Sequence, residues 1–371
     1  MKVNKSNFKK FLQSIFKIFF YTIFKLKHGK IVFNEKIQSK LYKEENVSFE
    51  DKSFTLKYSI FFSSNSRLYT DRIHDTAIIK NNLLIDKPSF QLRNNVNDDD
   101  VTKNIVLKNG TPYIMRKLNG TILSLLTGGG GNDNFFHWLF DVLPRIGIVE
   151  KKINLNEIDY FLCPNLNKWQ LETLNLLGIK KSQCLSSVKY RHIRSDQIIV
   201  TTHPWQISKN VLKDIENLPI WISEWLKKKF LPHKSHKDLP KKFYIDRSDS
   251  KSNLKNFRYI INENELKNFL KDKGFEFVRL SELSFREELK IFNNAETVVG
   301  LQGAGLTNLI WSNNKTKIIE LRSNLTNKLY ENLAKDNKIN FDKLESTPKN
   351  YVVADHYGSI EVDIKKLEKI L

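Results

Sequence analysis

Strand-like and helix-like segments alternate from Lys241 to the end of the chain, and this alternation restricts the fold more than any other feature of the sequence. Two of the helical segments begin with capping-box-like pairs, Asn262 with Glu265 and Ser284 with Glu287. The strand-like segments are KKFYIDR, FEFVRL, VVG and TKIIEL. Strands that alternate with helices at this spacing predict an α/β fold with a parallel, doubly wound sheet and right-handed crossovers.

A glycine loop, LQGAG, lies between the last two of these strands and leads into an apolar helix that starts at Thr307. Gly303 and Gly305 would let an anionic ligand approach the backbone, and a helix N-terminus favours negative charge. Glu320 is expected at the carboxyl end of the following strand, where open parallel sheets bind ligands. The arrangement suits a nucleotide diphosphate at the loop and a ribose hydroxyl at the acid. A G-A-G turn also serves close helix–strand packing, and the motif alone leaves both interpretations open.

Two arginines are expected near this loop. Arg247 stands at the carboxyl end of the strand KKFYIDR, and Arg258 follows the polar loop SDSKSNLKN. Because both would lie on the loop side of the predicted sheet, their guanidinium groups could bind phosphate oxygens bidentately.

A second informative stretch is GGGGNDNFFHWLFDVLPRIGIVE, in which a glycine loop precedes a predicted helix that starts near Asn134. His137, Asp141 and Arg145 are spaced by four residues and should share one helical face. Pro144 should end or kink this helix. The pattern indicates a functional site, or else an intrahelical ion pair beside a hydrogen-bonded histidine. A metal would need a third ligand, and the sequence offers none nearby.

Residues 31–235 are predicted to form an N-terminal Rossmann-like domain and residues 236–371 a second one. In the first, the runs SFTLKYSIFF, TAIIKNNLLI and KNIVL read as strands, and two further strands flank a helix from about Trp169 to Leu177. The basic, proline-flanked segment PHKSHKDLPKK marks the boundary. The D-x-D pattern at 98–100 is interpreted as a solvated turn, because no apolar strand leads into it.

Residues 1–30 form a separate predicted element, a basic helix with an aromatic-rich face. Its apolar run from Phe11 to Phe24 is shorter than the ~20 residues that span a bilayer, and no small-residue cleavage site follows it. Such a helix would lie in the interface of an anionic leaflet, which predicts a cytoplasmic protein peripherally associated with the inner face of the cell membrane. Packing of this helix on the protein core is the alternative.

The formal net charge of +20 comes from lysines scattered along the whole chain. No RNP motif, zinc-finger spacing or arginine-rich arm accompanies the charge, so a nucleic-acid-binding protein is the weakest of the functional alternatives. A diffuse positive field fits anionic lipid surfaces and phosphorylated substrates instead. Cys163 and Cys184 have no metal-ligand spacing and are expected to be core residues in a reducing compartment.

With these motifs in order, the chain resembles glycosyltransferase family 61, which includes bacterial capsular-polysaccharide proteins and eukaryotic O-linked N-acetylglucosamine and xylan-modifying transferases. The resemblance covers roughly 127–346 and rests on FFHWLFDVLPR, YIDRSDS with RYIINENEL, and FNNAETVVGLQGAGLTNLIW with IIEL. It implies a GT-B-type architecture, two Rossmann-like domains facing a cleft, and an inverting sugar transfer in cell-surface polysaccharide assembly. The implied partners are a nucleotide-sugar donor such as a UDP-sugar and a glycan or lipid-linked glycan acceptor.

An inverting transfer needs a base for the acceptor hydroxyl and positive charge for the leaving diphosphate. Asp141 is the preferred base, with His137 orienting it or exchanging roles with it, and Arg145 holding that carboxylate or an acidic group of the acceptor. With arginines and a helix dipole available, neither a metal nor a cofactor is required. The residues expected to bind the donor are Arg247, Arg258, Gln302, Gly303, Ala304, Gly305, Leu306, Thr307, Asn308 and Glu320.

Gln302 departs from the family pattern, which commonly has histidine at this position. Glutamine keeps hydrogen-bonding groups but does not titrate near neutral pH. If the family histidine were the base, this chain would be a non-catalytic nucleotide- or polysaccharide-binding relative. If that histidine contacts the donor, Gln302 would retune donor preference, and we favour this second interpretation.

Overall fold

The computed structural model describes residues 5–70, 76–89, 92–93, 96–97, 100–126, 134–208, 210–231, 239–249, 258–349 and 358–371. Several sequence predictions lie outside these residues, namely the glycine loop at 128–131, the aspartates at 98–99, most of the basic linker at 232–238 and the polar loop at 250–257. The chain divides into two compact units, with the division between Val211 and Leu212.

The N-terminal unit is built on one large sheet with flanking helices. Its helices and strands are α1 (Lys5–His28), β1 (Lys43–Asp51), β2 (Phe54–Thr70), β3 (Thr76–Lys80), β4 (Leu83–Ile85), β5 (Leu92–Arg93), β6 (Val96–Asn97), α2 (Ile105–Asn109), β7 (Arg116–Ser124), α3 (Phe135–His137), a π-helical turn (Trp138–Val142), α4 (Pro144–Val149), β8 (Tyr160–Cys163), α5 (Lys168–Leu176), β9 (Cys184–Ser186) and β10 (His192–Thr201). Short 3₁₀ helices lie at Glu35–Lys40, Val101–Lys103, Leu155–Glu157 and Lys181–Gln183.

The sheet of this unit is mixed. Its strand order is β4-β3-β2-β10-β7-β8-β9, with β1 also paired to β2. Strands β10, β7, β8 and β9 run parallel to one another, whereas β1 to β4 and the β2–β10 pair are antiparallel. The α/β class is confirmed, but a purely doubly wound N-terminal domain is wrong.

Short hairpins explain the antiparallel half. The β1–β2 hairpin turns at Lys52, and the β3–β4 hairpin turns at Asn81 and Asn82, all with positive φ. Loops of two residues cannot carry the crossover that parallel pairing needs. The run KNIVL, predicted as a strand, is helical instead. Its last three residues begin α2, and the Asn104 side chain caps this helix by accepting from the Val106 N–H at 3.2 Å.

The C-terminal unit carries the regular alternation that the sequence predicts from Lys241 onwards. Its elements are α6 (Val211–Glu216), which crosses the division, α7 (Ile220–Phe230), β11 (Lys242–Ile245), α8 (Glu263–Asp272), β12 (Glu276–Val278), α9 (Phe285–Asn294), β13 (Thr297–Leu301), a 3₁₀ helix (Ala304–Trp311), β14 (Lys317–Ser323), α10 (Leu329–Asp336), β15 (Asn340–Ser346) and α11 (Ile364–Ile370). A further 3₁₀ turn lies at Leu280–Glu282.

Five parallel strands form the sheet of this unit in the order β12-β11-β13-β14-β15. Counted within the unit, this is the 2-1-3-4-5 order of doubly wound folds, whose switch point lies between β11 and β13. One face of the sheet packs a core that includes Tyr244, Val299, Leu321 and residues of α8 and α11. The parallel sheet predicted for this part of the chain is confirmed, and the switch point indicates where a ligand should bind.

The helix α7 belongs with the C-terminal unit. Phe230, at its end, packs edge-on against Phe285 at 5.3 Å and against Trp311 at 6.4 Å between ring centroids. The boundary predicted at 235/236 left this helix in the N-terminal domain, because the basic segment that follows it is the stronger compositional signal. The aromatic contacts of Phe230 place α7 with the C-terminal unit. The composition of the segment that follows the helix gives no information about such contacts.

Helix α1 is long, but its apolar run from Phe11 to Phe24 is interrupted by Lys17. Among the residues that the structure describes, no helix combines the length and the hydrophobicity needed to cross a membrane.

Candidate functional site

The carboxyl ends of β11 and β13 diverge at the switch point of the C-terminal sheet, and the residues just beyond them define a candidate ligand crevice. Arg247 follows β11, and Gln302 and Gly303 follow β13. The Arg247 Nη1 donates to the Gln302 carbonyl oxygen at 3.4 Å. A Cβ on Gly303 would lie 3.3 Å from the same nitrogen, so this glycine makes room for the arginine.

The second glycine of the loop has a packing role. A Cβ on Gly305 would lie 2.8 Å from the Leu280 Cδ1, which is closer than van der Waals contact allows. A Cβ on Gly300 would similarly lie 3.0 Å from the Ile245 Cδ1. At Gly305 the missing side chain therefore leaves room for Leu280 of the 3₁₀ turn at Leu280–Glu282, and this packing role is compatible with an amide that faces a ligand.

The rest of the loop divides between the core and the crevice. Leu306 and Asn308 are buried, and the Asn308 amide donates to Glu288 at 2.6 Å while its oxygen accepts from the Trp311 indole at 2.9 Å. These contacts hold the 3₁₀ helix in place, which is a structural role and differs from the donor contact predicted for both residues. The amides of Ala304 and Gly305 begin this helix, where N–H groups have no intrahelical acceptor.

Positive charge is concentrated at the crevice. Burial and the neighbouring Arg258 guanidinium both lower the pKa of Arg247. Arg258 also lies close enough to Glu320 to affect the pKa of that carboxyl. Two guanidinium groups that destabilise one another in a partly buried setting favour the binding of an anion, which would relieve their repulsion.

Glu320 lies inside β14, three residues before the strand ends at Ser323, and not at its carboxyl end as predicted. Its Oε2 accepts from the Arg322 Nη1 at 3.1 Å, whereas its Oε1 is buried and has no hydrogen-bond partner among the described residues. Burial raises the pKa of Glu320 to about 7, although Arg322 and Arg258 oppose the rise. The carboxyl group is thus poised between its neutral and ionised forms near neutral pH.

A second buried oxygen in this unit is also unpartnered. The side-chain oxygen of Gln302 meets no hydrogen-bond donor in the described part of the chain. Gln302 follows Leu301, which pairs with Leu321, so it stands beside the strand that carries Glu320. Buried oxygens without donors are costly in a folded protein, and a bound ligand would satisfy them.

Tyr330 joins this group, although no role was predicted for it from the sequence. It lies buried at the start of α10, and burial raises its pKa. The hydroxyl is close enough to Thr307, Glu320 and Arg258 for each of them to influence that pKa. The signal in the sequence was its position in the first turn after β14, at the ligand-binding edge of the sheet.

In the N-terminal unit, His137 and Asp141 form a hydrogen-bonded pair on a distorted helix. The His137 Nδ1 lies 2.8 Å from the Asp141 Oδ2. The backbone widens to a π-helical turn, in which the Leu143 N–H donates to the Trp138 carbonyl oxygen at 3.1 Å, and α4 then begins at Pro144. The interruption predicted at the proline is confirmed, and such π-turns are frequent at functional sites.

The Asp141 carboxylate is almost completely buried and well supplied with donors. The Trp205 Nε1 donates to its Oδ1 at 2.5 Å, and the His203 Nε2 lies 3.8 Å from its Oδ2. Burial opposes ionisation, but the two imidazoles outweigh it and hold the pKa of Asp141 well below its usual range. The same carboxylate overcomes burial to raise the pKa of His137, whereas burial lowers that of His203.

Arg145 has a structural role that the helical spacing does not reveal. Its Nε donates to the backbone carbonyl of Asp141 at 3.1 Å, and its Nη1 donates to the carbonyl oxygen of Thr201 at 3.0 Å. The side chain is buried, so it holds backbone oxygens beside the π-helical turn. The expectation that it binds the Asp141 carboxylate or an acceptor acid is replaced by this role.

His203 and Trp205 are partners of the pair that the sequence analysis missed. They follow β10 in the segment THPW, more than 60 residues after Asp141. The available signal was their position just beyond a parallel strand. Although two imidazoles approach one carboxylate, the described residues contain no group of three His, Cys, Asp or Glu side chains that could hold a metal ion.

Comparison with known proteins yields two matches. The family described as Glycosyltransferase 61 matches residues 135–319, a range that begins at α3 and ends one residue before Glu320. The chain is also similar to an EGF domain-specific O-linked N-acetylglucosamine transferase from Gallus gallus, with 34% identity over 84 residues. This stretch covers 21% of the chain and only 16% of the relative.

Proposed function

The chain belongs to glycosyltransferase family 61, and on this premise we propose that it moves a sugar from a nucleotide-sugar donor to a hydroxyl of a glycan acceptor. The observation that supports the donor site best is the placement of Arg247 and Arg258 around the switch point of a parallel sheet. A nucleoside diphosphate is the anion that such a pair would bind and stabilise as a leaving group.

The crevice offers polar groups for the remainder of the donor. In this proposal the amides of Ala304 and Gly305 bind the diphosphate, and Gln302 contacts the diphosphate or the sugar. The unpartnered oxygen of Glu320 receives a hydroxyl group, for which the ribose is the best candidate. Because the arginines and amides carry the charge, no divalent metal takes part in the step.

His137 is the base of the proposed reaction, and Asp141 positions it. The imidazole side chain is 30% exposed, whereas the Asp141 side chain is 3% exposed and accepts hydrogen bonds on both oxygens. A carboxylate so buried and so acidic is a poor proton acceptor, although the sequence alone favoured it. A histidine held at Nδ1 can take a proton from the acceptor hydroxyl at Nε2.

The chemistry of the proposed step balances without a covalent intermediate. The acceptor hydroxyl gives its proton to His137 while its oxygen bonds to the anomeric carbon, and the bond from that carbon to the diphosphate breaks. Attack from the face opposite the leaving group inverts the anomeric configuration. We extend the proposal to a GT-B-type enzyme of capsular or other cell-surface polysaccharide synthesis, whose C-terminal unit binds the donor and whose N-terminal unit supplies the base.

A thermal-shift experiment tests the donor site. UDP or GDP should raise the melting temperature of the full chain, and Arg247→Ala should remove the shift because it deletes a phosphate ligand. Arg286→Ala, an exposed arginine of α9 in the same unit, is the matched control and should keep the shift. Absence of stabilisation by any nucleotide would contradict the proposed function.

Gln302 supports one alternative, a non-catalytic nucleotide- or polysaccharide-binding relative, because it stands where the family commonly has histidine. That alternative expects nucleotide binding without turnover, and turnover that appears in Gln302→His. Our proposal expects turnover in the wild-type chain and a change of donor preference in the variant. Assay of both proteins with the same set of sugar nucleotides separates the two.

A further inference from the structure

Helix α1 is anchored to the N-terminal unit along one narrow stripe near its end. The Phe24 ring stacks on His28 with 5.6 Å between centroids, and His28 meets the edge of His192 on β10 at 4.9 Å. The helix stops at Gly29, whose positive φ and proximity to Asn82 suit only glycine. These contacts fix which face of the helix is turned towards the protein.

The opposite face of α1 is apolar and exposed. At 100° per residue, its large side chains project away from the Phe24–His28 stripe, and Leu26 and Ile18 are 83% and 65% exposed. The exposed apolar residues of this face are Ile15, Phe16, Ile18, Phe19, Ile23 and Leu26, whereas Phe20 stacks on Phe24 and borders the anchored stripe. A contiguous exposed patch of this kind marks a protein or membrane interaction surface.

The positive charge around this face indicates which kind of partner would bind it. The helix contains no acidic residue, and its last turn carries Lys25 and Lys27, which flank the apolar face on its two sides. Lysines also recur in the preceding sequence of the helix. A second copy of the helix would bring lysines against lysines, whereas anionic lipid headgroups would meet them with opposite charge.

We propose that α1 is a membrane-docking helix that lies in the interface of an anionic bilayer, with its exposed apolar face among the acyl chains and its lysines at the headgroups. The exposed stretch from Ile15 to Leu26 is roughly 18 Å long at ~1.5 Å per residue, well short of the ~30 Å hydrocarbon core. The helix therefore lies along the surface, and the Phe24–His28 stripe transmits this attachment to the N-terminal unit.

Sedimentation with vesicles tests the proposal on the full chain. Vesicles of phosphatidylcholine and phosphatidylglycerol should pellet the wild-type protein, and vesicles of phosphatidylcholine alone should pellet far less of it. The triple variant Phe16→Ser/Phe19→Ser/Ile23→Ser should bind anionic vesicles at least ~10-fold more weakly, because apolar burial and charge act together in such helices. These side chains are exposed, so the melting temperature should stay unchanged.

The matched control replaces exposed apolar residues elsewhere, Ile114→Ser and Leu212→Ser, which are 72% and 73% exposed. This double variant should bind anionic vesicles like the wild type. Unchanged binding by the triple variant, or an equal loss in the control, would overturn the proposal. So would a wild-type dimer in sedimentation equilibrium that the triple variant converts to monomer, because the face would then cover a second copy of the chain.

Discussion

Two buried carboxylates, Asp141 and Glu320, show how hydrogen bonding decides the protonation state that burial alone would not. Asp141 is 2% exposed and Glu320 is 1% exposed, so both pay a similar desolvation cost. Asp141 accepts from His137 and Trp205, and its pKa falls below the usual range. Glu320 has one oxygen without a partner, and its pKa rises to about 7.

The difference between the two pKa values suits the two acids to different roles. A permanently ionised Asp141 orients and charges an imidazole, as in other carboxylate–histidine pairs. A carboxyl group that titrates near neutral pH and keeps one oxygen unpaired can donate to or accept from a ligand hydroxyl. Environments that push two carboxyl pKa values apart are a common basis for acid–base assignments in enzymes.

Removal of the imidazole should have the largest effect. His137→Ala deletes the proposed base, so turnover should fall by ~10²–10⁴-fold, the usual contribution of general base catalysis. The thermal shift produced by UDP should be retained, because the proposed nucleotide site is built from residues of the C-terminal unit. Undiminished turnover in this variant would show that a group other than His137 is the base.

Asp141→Asn should come next, and it changes the pH dependence as well as the rate. The acidic limb of the pH–rate profile should lie above the ordinary histidine pKa of ~6.5 in the wild type, because His137 must be neutral to accept a proton and its pKa is raised. In the variant that limb should move to lower pH, with turnover reduced by at least ~10-fold. A purely structural carboxylate would lower the rate without moving the limb.

The same variant tests the stability side of the comparison. A depressed folded pKa means that ionised Asp141 stabilises the fold at pH above its ordinary value of ~3.9, and that this contribution fades as the pH falls. The free energy of unfolding at pH 7 should therefore drop by about 3 kcal/mol in Asp141→Asn, the cost of breaking a buried pair. The gap between the two proteins should narrow in acid.

Glu320→Gln should change the stability with the opposite dependence on pH. Because the folded pKa lies near 7, the folded wild type holds a proton that the unfolded chain loses from about pH 4.5 upwards, so its stability falls between pH 4.5 and 7. The variant escapes this loss, and its relative stability should improve by at most roughly 3 kcal/mol from pH 5 to 8. Parallel pH profiles for the two proteins would refute a raised pKa.

Much of the C-terminal unit could be predicted from the sequence, because strand–helix periodicity and capping pairs are local signals. Arg247 and the QGAG loop were placed correctly just beyond the carboxyl ends of their strands for that reason. Glu320 was misplaced because the strand continues through Arg322, a charged residue that resembles a strand terminus in sequence but is buried in an ion-pair network with Glu331 and Glu345.

The N-terminal site was harder to predict because its chemistry depends on distant contacts. The spacing of His137 and Asp141 predicted an interaction between them. Nothing in the local sequence indicates that His203 and Trp205 would also approach the Asp141 carboxylate. The role of Arg145 depends on a π-helical turn. The predicted shared face was derived from regular α-helical spacing, which does not apply across such a turn. The antiparallel half of the sheet was missed because its hairpins carry asparagine and lysine at positive φ in place of glycine.

Release of nucleoside diphosphate from a panel of UDP- and GDP-sugars tests the central claim most directly. The wild-type chain and the Arg286→Ala control should release diphosphate from at least one donor, and Arg247→Ala should release none above background. Failure of the wild-type chain to cleave any donor, or equal release by Arg247→Ala, would contradict a glycosyltransferase whose donor site lies at the switch point of the C-terminal sheet.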